Sequence, residues 1–254
     1  MLRELFKPPD AQCPRCGKET ISWETGSWRA RVNLALMRWL SRMLRRALPL
    51  RLWCRNCNCS FEHLHALPRT VVGYHGCHRD FARDLVAGRV SAEEWKASQN
   101  EYDWLGEGIY FWEHAPGRAW QWARARYGDN GAVVATEIRL GRCLDLADTA
   151  FTGLLEGAYE DIKNLYESLG QGLPKNGGRD FKLRRLDRVV IGHFTTTADR
   201  PGGYLHYQTV RCPFEEGEPV YEGAMIKTQS HIQIAVRDRR CLGPEVYPVG
   251  SEGG

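Results

Sequence analysis

An α+β fold is what this sequence predicts, and two observations carry the expectation. Strand-like and helix-like segments follow one another without the regular βαβ alternation of a doubly wound sheet. The 254 residues are 43% hydrophobic, which is enough for a proper core. A third observation divides the chain: two C-x-x-C pairs near the start set residues 1–66 apart as a small module, with the main domain expected over 67–248.

In the module, "CPRCGKE" and "WCRNCNCSFE" place Cys13, Cys16, Cys54 and Cys57 as two knuckles. Such spacing lets two thiolates reach one tetrahedral Zn²⁺ from a tight turn, so a zinc-ribbon-like site is expected, with Cys59 as an alternative to Cys57. The 37 residues between the knuckles exceed an ordinary ribbon gap, and an insert explains the excess. Within it, residues 28–48 set Val32, Leu36, Trp39, Met43 and Ala47 on one helical face and Arg31, Arg38, Arg42 and Arg45 on another, before Pro49. This basic amphipathic helix is expected to pack on the body of the protein or to meet a nucleic acid, a membrane surface or a protein partner such as an antitoxin. The first 65 residues hold twelve Lys/Arg against five Asp/Glu, while the whole chain carries +4, so the two parts are expected to have different partners.

Along the main domain, "RTVVGYHGCH" reads as a strand and "DFARDLVAGRVS" as a helix stopped by Gly88. "SQNEYDWLGEGIYFWE" reads as a loop leading into a strand at Gly108–Trp112. "APGRAWQWARARYG" is a helix with Pro near its start and Gly128 at its end. "GAVVATEIRLGRCLDLAD" alternates as a strand and turn, and "FTGLLEGAYEDIKNLYESLG" is helical. "QGLPKNGGRDF" is a loop, "LDRVVIGHF" and "SHIQIAVRD" are two further strands, and the terminal "GSEGG" reads as disordered.

No run of about 18 uncharged apolar residues occurs and no continuous apolar leader opens the chain, so a protein of a reducing cytoplasm is expected. Nine cysteines, four of them in knuckles, suit metal thiolates better than a disulfide framework.

"YHG" at the end of an early strand, then "GEGIYFWE", a helix containing "AWQWA", the strand "GAVVATEIRLGRCLDL" and the late "SHIQIAVRD" resemble the ADP-ribosyltransferase superfamily. The pattern is similar to the branch of poly(ADP-ribose) polymerases, diphtheria toxin and RNA 2′-phosphotransferases, which bears a His-Tyr-Glu signature. The resemblance covers residues 70–240 and rests on short motifs. It implies a split antiparallel core, two small and roughly perpendicular sheets gripping NAD. It also implies His75 on a ribose hydroxyl, the Gly76 backbone on the nicotinamide carboxamide and Tyr110 stacked on the nicotinamide ring, with Tyr74 as a further aromatic wall. Gly106 and Gly108 would let backbone approach the ligand.

The third signature position departs from the pattern, because "SHIQIAVRD" offers Gln233 where the family has Glu. Glutamine accepts a hydrogen bond but supplies neither charge nor a base. Glu113, after the aromatic strand, and Glu222 in "VYEGAMI" are the carboxylates that would compensate, with Glu113 also suited to capping the next helix. The resemblance therefore implies a mono-ADP-ribosyltransferase acting on a protein, RNA or DNA acceptor, in the setting of a bacterial toxin or defence effector. An NAD glycohydrolase, or a degenerate module that binds NAD or ADP-ribose and docks nucleic acid, remain the alternatives.

Overall fold

The computed structural model describes residues 21–23, 51–54, 59–62, 69–100, 103–178, 183–199 and 207–250. The chain divides into two compact units, Met1–Pro68 with Pro201–His206, and Arg69–Arg200 with Tyr207–Gly254.

The first unit contains a three-stranded antiparallel sheet, β1 (Ile21–Trp23), β2 (Arg51–Cys54) and β3 (Cys59–Glu62), in that order. Cys54 ends β2 and is paired with Cys59 at the start of β3. The other expected zinc thiolates, Cys13, Cys16 and Cys57, and the basic helix of residues 28–48 lie outside the described residues.

The second unit is a mixed α+β structure built on a mostly antiparallel sheet. Its strands are β4 (Thr70–His78), β5 (Ile109–Glu113), β6 (Gly131–Arg139), β7 (Cys143–Asp145), β10 (Thr209–Phe214), β11 (His231–Val236) and β12 (Leu242–Val249). They run in the order β12-β6-β4-β5-β11-β10-β7, and β10–β7 is the one parallel pair in that order. The helices are α1 (Arg79–Val86), α2 (Pro116–Tyr127), α3 (Thr149–Ser168) and α4 (Arg185–Asp199), and a two-residue pair, β8 (Asn176–Gly177) with β9 (Leu183–Arg184), precedes α4.

Period-two alternation sets the two faces of this sheet. On one face Cys77, Phe111, Val134, Ile138, Ile234 and Val236 form a core with Leu85 of α1 and Trp95. Phe111 is wholly buried, which stabilises the fold by about 2–3 kcal/mol. On the other face Trp112 and Val133 pack against Ala119 and Ala123 of α2. Gly76 makes that packing possible, because a Cβ there would meet the Ala119 carbonyl oxygen at 2.8 Å. Gly128, with φ of 56°, ends α2 as the sequence leads one to expect.

The sheet is unevenly joined. β4 pairs with β6 along its full length, and β5 pairs with β11 from Ile109 to Trp112. Between them, β4 and β5 pair only at Gly73↔Glu113 and Tyr74↔Trp112, after which the strands diverge.

One element corrects the sequence reading. "LDRVVIGHF", expected as a strand because of its β-branched run, lies inside helix α4. Val190, Ile191 and Thr195 are its buried residues among those described, a helical spacing. Its free N-terminal amides are satisfied from a distance, since the Asn176 side-chain oxygen accepts from Leu186 N at 2.9 Å and Asp187 N at 3.3 Å. The short β8, inside a segment expected as a loop, was not anticipated, and nor were β10 and β12. The last two contain proline, which the sheet tolerates here because β12 is an edge and β10 has β7 beside it only at Thr209–Arg211.

Candidate active site

The divergence of β4 from β5 opens a cleft of about 680 Å³. Its lining includes His75, Gly76, Gly108, Tyr110, Trp112 and Gln233, brought together from β4, β5 and β11. The inner face of α2 and Lys96, Ser98, Asn100, Asp103 and Trp104 supply other parts of the wall.

His75 sits at the fork. Its Nδ1 is 2.8 Å from the Tyr110 carbonyl oxygen. A carbonyl can only accept, so Nδ1 carries the proton and Nε2 is left as an acceptor. The ring is wedged edge-on to Trp95 at 5.0 Å and tilted to Phe111 at 5.5 Å. Burial pushes its pKa down to about 4, against which the Tyr110 carbonyl works only in part. The imidazole is therefore neutral and fixed in tautomer and orientation.

Tyr110 is fixed as firmly. Its hydroxyl accepts from Leu105 N at 3.0 Å and donates to the Gly106 carbonyl at 2.7 Å, closing the loop before β5 onto the strand. Burial raises its pKa well above the usual phenol range. The preceding glycines also have reasons in the fold itself. Gly106 has φ of 81°, and a Cβ on Gly108 would press on Ala235 Cβ at 3.0 Å, so each serves the turn and the approach of β11.

Gln233 faces Trp112 on β5 and Cys212 on β10, and its side chain has no hydrogen bond among the described residues. Trp112 Nε1 beside it is buried and also unpartnered.

The expected carboxylates do not reach this cleft. Glu113 follows the alternation of β5 to the opposite face, where both oxygens are held by Arg211 at 2.6 and 2.8 Å. Arg211 also bonds Asp145, which Arg69 holds from its other side. Nor does Glu113 cap α2, whose N-cap is Ala115 without a side-chain bond. Glu222 is exposed on the excursion between β10 and β11, outside the cleft lining. Tyr74 packs with Trp112 and Val133 against α2 and does not line the cleft.

Two other carboxylates do line it. Asp103, 5% exposed, accepts from Ser98 Oγ and the Asn100 amide and so ties the turn before Tyr110; burial raises its pKa. Glu216, 7% exposed, is paired with Arg118 of α2 at 2.9 Å, and Arg118 in turn donates to Gln121. Asp103 has a local signal, a turn-forming Asn-x-x-Asp in "SQNEYD". The Arg118–Glu216 pair has none, because 98 residues separate its partners.

Comparison with family models, with curated proteins and with solved structures gives no match to this chain.

Proposed function

We propose that the protein is an NAD-dependent mono-ADP-ribosyltransferase acting on a macromolecule. The observation that supports it most is the convergence of His75, Gly76, Tyr110 and Gln233, from three separate strands, on one cleft with the imidazole held neutral. The ring of Tyr110, anchored through its hydroxyl, is a rigid flat surface of the kind a nicotinamide would stack on. His75 Nε2 would accept from a ribose hydroxyl, and the unpartnered Gln233 amide would orient the ribose on which cleavage occurs.

In the reaction the C1′–N bond of the nicotinamide ribose breaks heterolytically, its electron pair neutralising the departing nicotinamide. The resulting ribosyl cation is captured by an acceptor nucleophile, which releases its proton. No carboxylate of this cleft is needed for the leaving group, since nicotinamide departs from an already cationic ring. Positioning and fixed dipoles are what the pocket supplies. A zinc ion held by Cys13, Cys16, Cys54 and Cys57 would be a closed structural site in the N-terminal unit, with no part in this step.

Incubation of the full-length protein with doubly labelled NAD tests the reading. Free nicotinamide together with ADP-ribose label on a macromolecule is the expected result. Nicotinamide release without macromolecular label would assign water as acceptor, and NAD binding without release would make the protein a binding module.

A further inference from the structure

Helix α2 runs along one wall of the cleft and brings a cation to each end. Arg118 lies in its first turn, and Arg126 lies eight residues on, about 12 Å along the helix. The two ends differ in what surrounds the cation. Arg118 is 16% exposed in its side chain and is neutralised by Glu216 at 2.9 Å, with Gln229 also lining that end and the Gln229 carbonyl holding the ring of His231. Arg126 is exposed and has no ion pair among the described residues. It lies one residue from Tyr127, whose ring meets His78 at 5.8 Å, and so lies at the β4 side of the fork. Lys96, across the cleft, is likewise exposed and unpaired among the described residues, and it follows Trp95, which packs on His75.

The cleft lining thus holds two open cations, Lys96 and Arg126, and a third, Arg118, that Glu216 cancels. We propose that Lys96 and Arg126 bind the pyrophosphate of the dinucleotide, and that Glu216 fixes the ligand's direction by removing Arg118 as a competing phosphate site. This rests on the reading of the cleft as an NAD site. It assigns three residues that the signature positions do not include. It also gives the Arg118–Glu216 pair a role as a specificity determinant: an anion seated at Arg118 would draw the ligand's phosphates away from Lys96 and Arg126.

The test uses calorimetric binding to the full chain with ADP-ribose and with nicotinamide as separate probes, alongside NAD cleavage. Lys96→Ala and Arg126→Ala are surface changes and should fold. Each should weaken ADP-ribose binding by about tenfold and leave nicotinamide binding unchanged, because nicotinamide has no phosphate. Glu216→Gln should keep or tighten ADP-ribose binding while lowering the NAD cleavage rate, as the unmasked Arg118 draws the ligand into the reversed pose. Arg118→Gln combined with Glu216→Gln should recover cleavage, which separates misdirected binding from loss of fold. Unchanged ADP-ribose affinity in the Lys96→Ala, Arg126→Ala double variant would overturn the proposal, as would a loss of ADP-ribose affinity on Arg118→Gln. A parent protein that binds neither probe would instead overturn the NAD reading itself.

Discussion

On one face of the β5–β11 pair, Glu113 gives both carboxylate oxygens to Arg211, which shares Asp145 with Arg69. On the other face, two residues from Tyr110 along the same strands, Gln233 has no partner among the described residues and Trp112 Nε1 is unpaired. The Arg211 guanidinium pKa lies above its ordinary value because of the Glu113 carboxylate, with Asp145 adding to the effect. The back face spends every charge on another charge. The cleft face keeps the half-buried Gln233 amide and the buried Trp112 Nε1 without protein partners among the described residues, and for the buried N–H that is costly. The difference separates charge that holds strands together from polarity that waits for something to bind.

The sharpest way to break the comparison is at the fork. His75→Ala removes the acceptor and the bond to the Tyr110 carbonyl together, and NAD cleavage should fall by about a hundredfold or more in kcat/KM. Activity at the parent level would mean that the fork is only a structural junction.

A matched pair of variants tests the two faces against each other. Glu113→Gln should lower stability by about 1–3 kcal/mol, since Arg211 would lose one of its two ionised partners and keep Asp145, while the folded fraction keeps its activity. Gln233→Ala should do the reverse: a thermal midpoint close to the parent's, with cleavage reduced by about tenfold or more. Chemical denaturation and nicotinamide release read the two outcomes separately. If Glu113→Gln removed activity at full stability, the assignment of faces would be wrong.

Tyr110→Phe has a smaller expected effect. Stacking uses the ring alone, yet the hydroxyl closes the loop through Leu105 and Gly106. Loss of about 1–2 kcal/mol of stability with partial activity is therefore expected, and hydrogen exchange at the Leu105 amide should quicken.

The smallest change in activity is expected on lowering pH. His75 has its folded pKa depressed from 6.5 to about 4, so the unfolded chain takes up a proton first as pH falls. Its contribution to stability is complete above about pH 6.5 and is lost as pH drops towards 4. Cleavage should accordingly stay flat from pH 8 to about 5.5, whereas the denaturation midpoint of the parent should fall more steeply than that of His75→Gln. A cleavage profile with a midpoint near 6.5 would show that the imidazole titrates as if exposed.

The sequence made β4, β5, α2 and β11 legible because each has a local pattern: alternation in "TVVGYHGCH", Pro and Gly at the two ends of α2, and a β-branched run in "HIQIAV". The α4 helix was misread for a physical reason. Its β-branched residues favour strand locally, and the Asn176 cap that satisfies its first amides comes from outside the segment. Glu113 was legible as a carboxylate beside the aromatic strand, and the alternation that puts Tyr110 and Trp112 on one face already puts it on the other; only its partner Arg211, almost a hundred residues on, was hidden. Glu216 was hidden for the same reason. Its neighbours Glu215 and Glu218 look alike in sequence, and only the fold selects the one that meets Arg118.

The narrow union of β4 and β5 has one further consequence. Two residue pairs, the His114 amide on the Val72 carbonyl and the His75 imidazole are the hydrogen bonds that clasp the long β4–β6 ladder to the β5–β11 ladder among the described residues. With so few hydrogen bonds there, the seam is held mainly by the side chains packed across it, Phe111 with Val134 and Ile138 on one face and Trp112 with Val133 on the other. A flat ring wedged there works as a splint: it would stiffen the seam without any loop having to close, and the protein would signal occupancy as a loss of compliance and not as a change of shape.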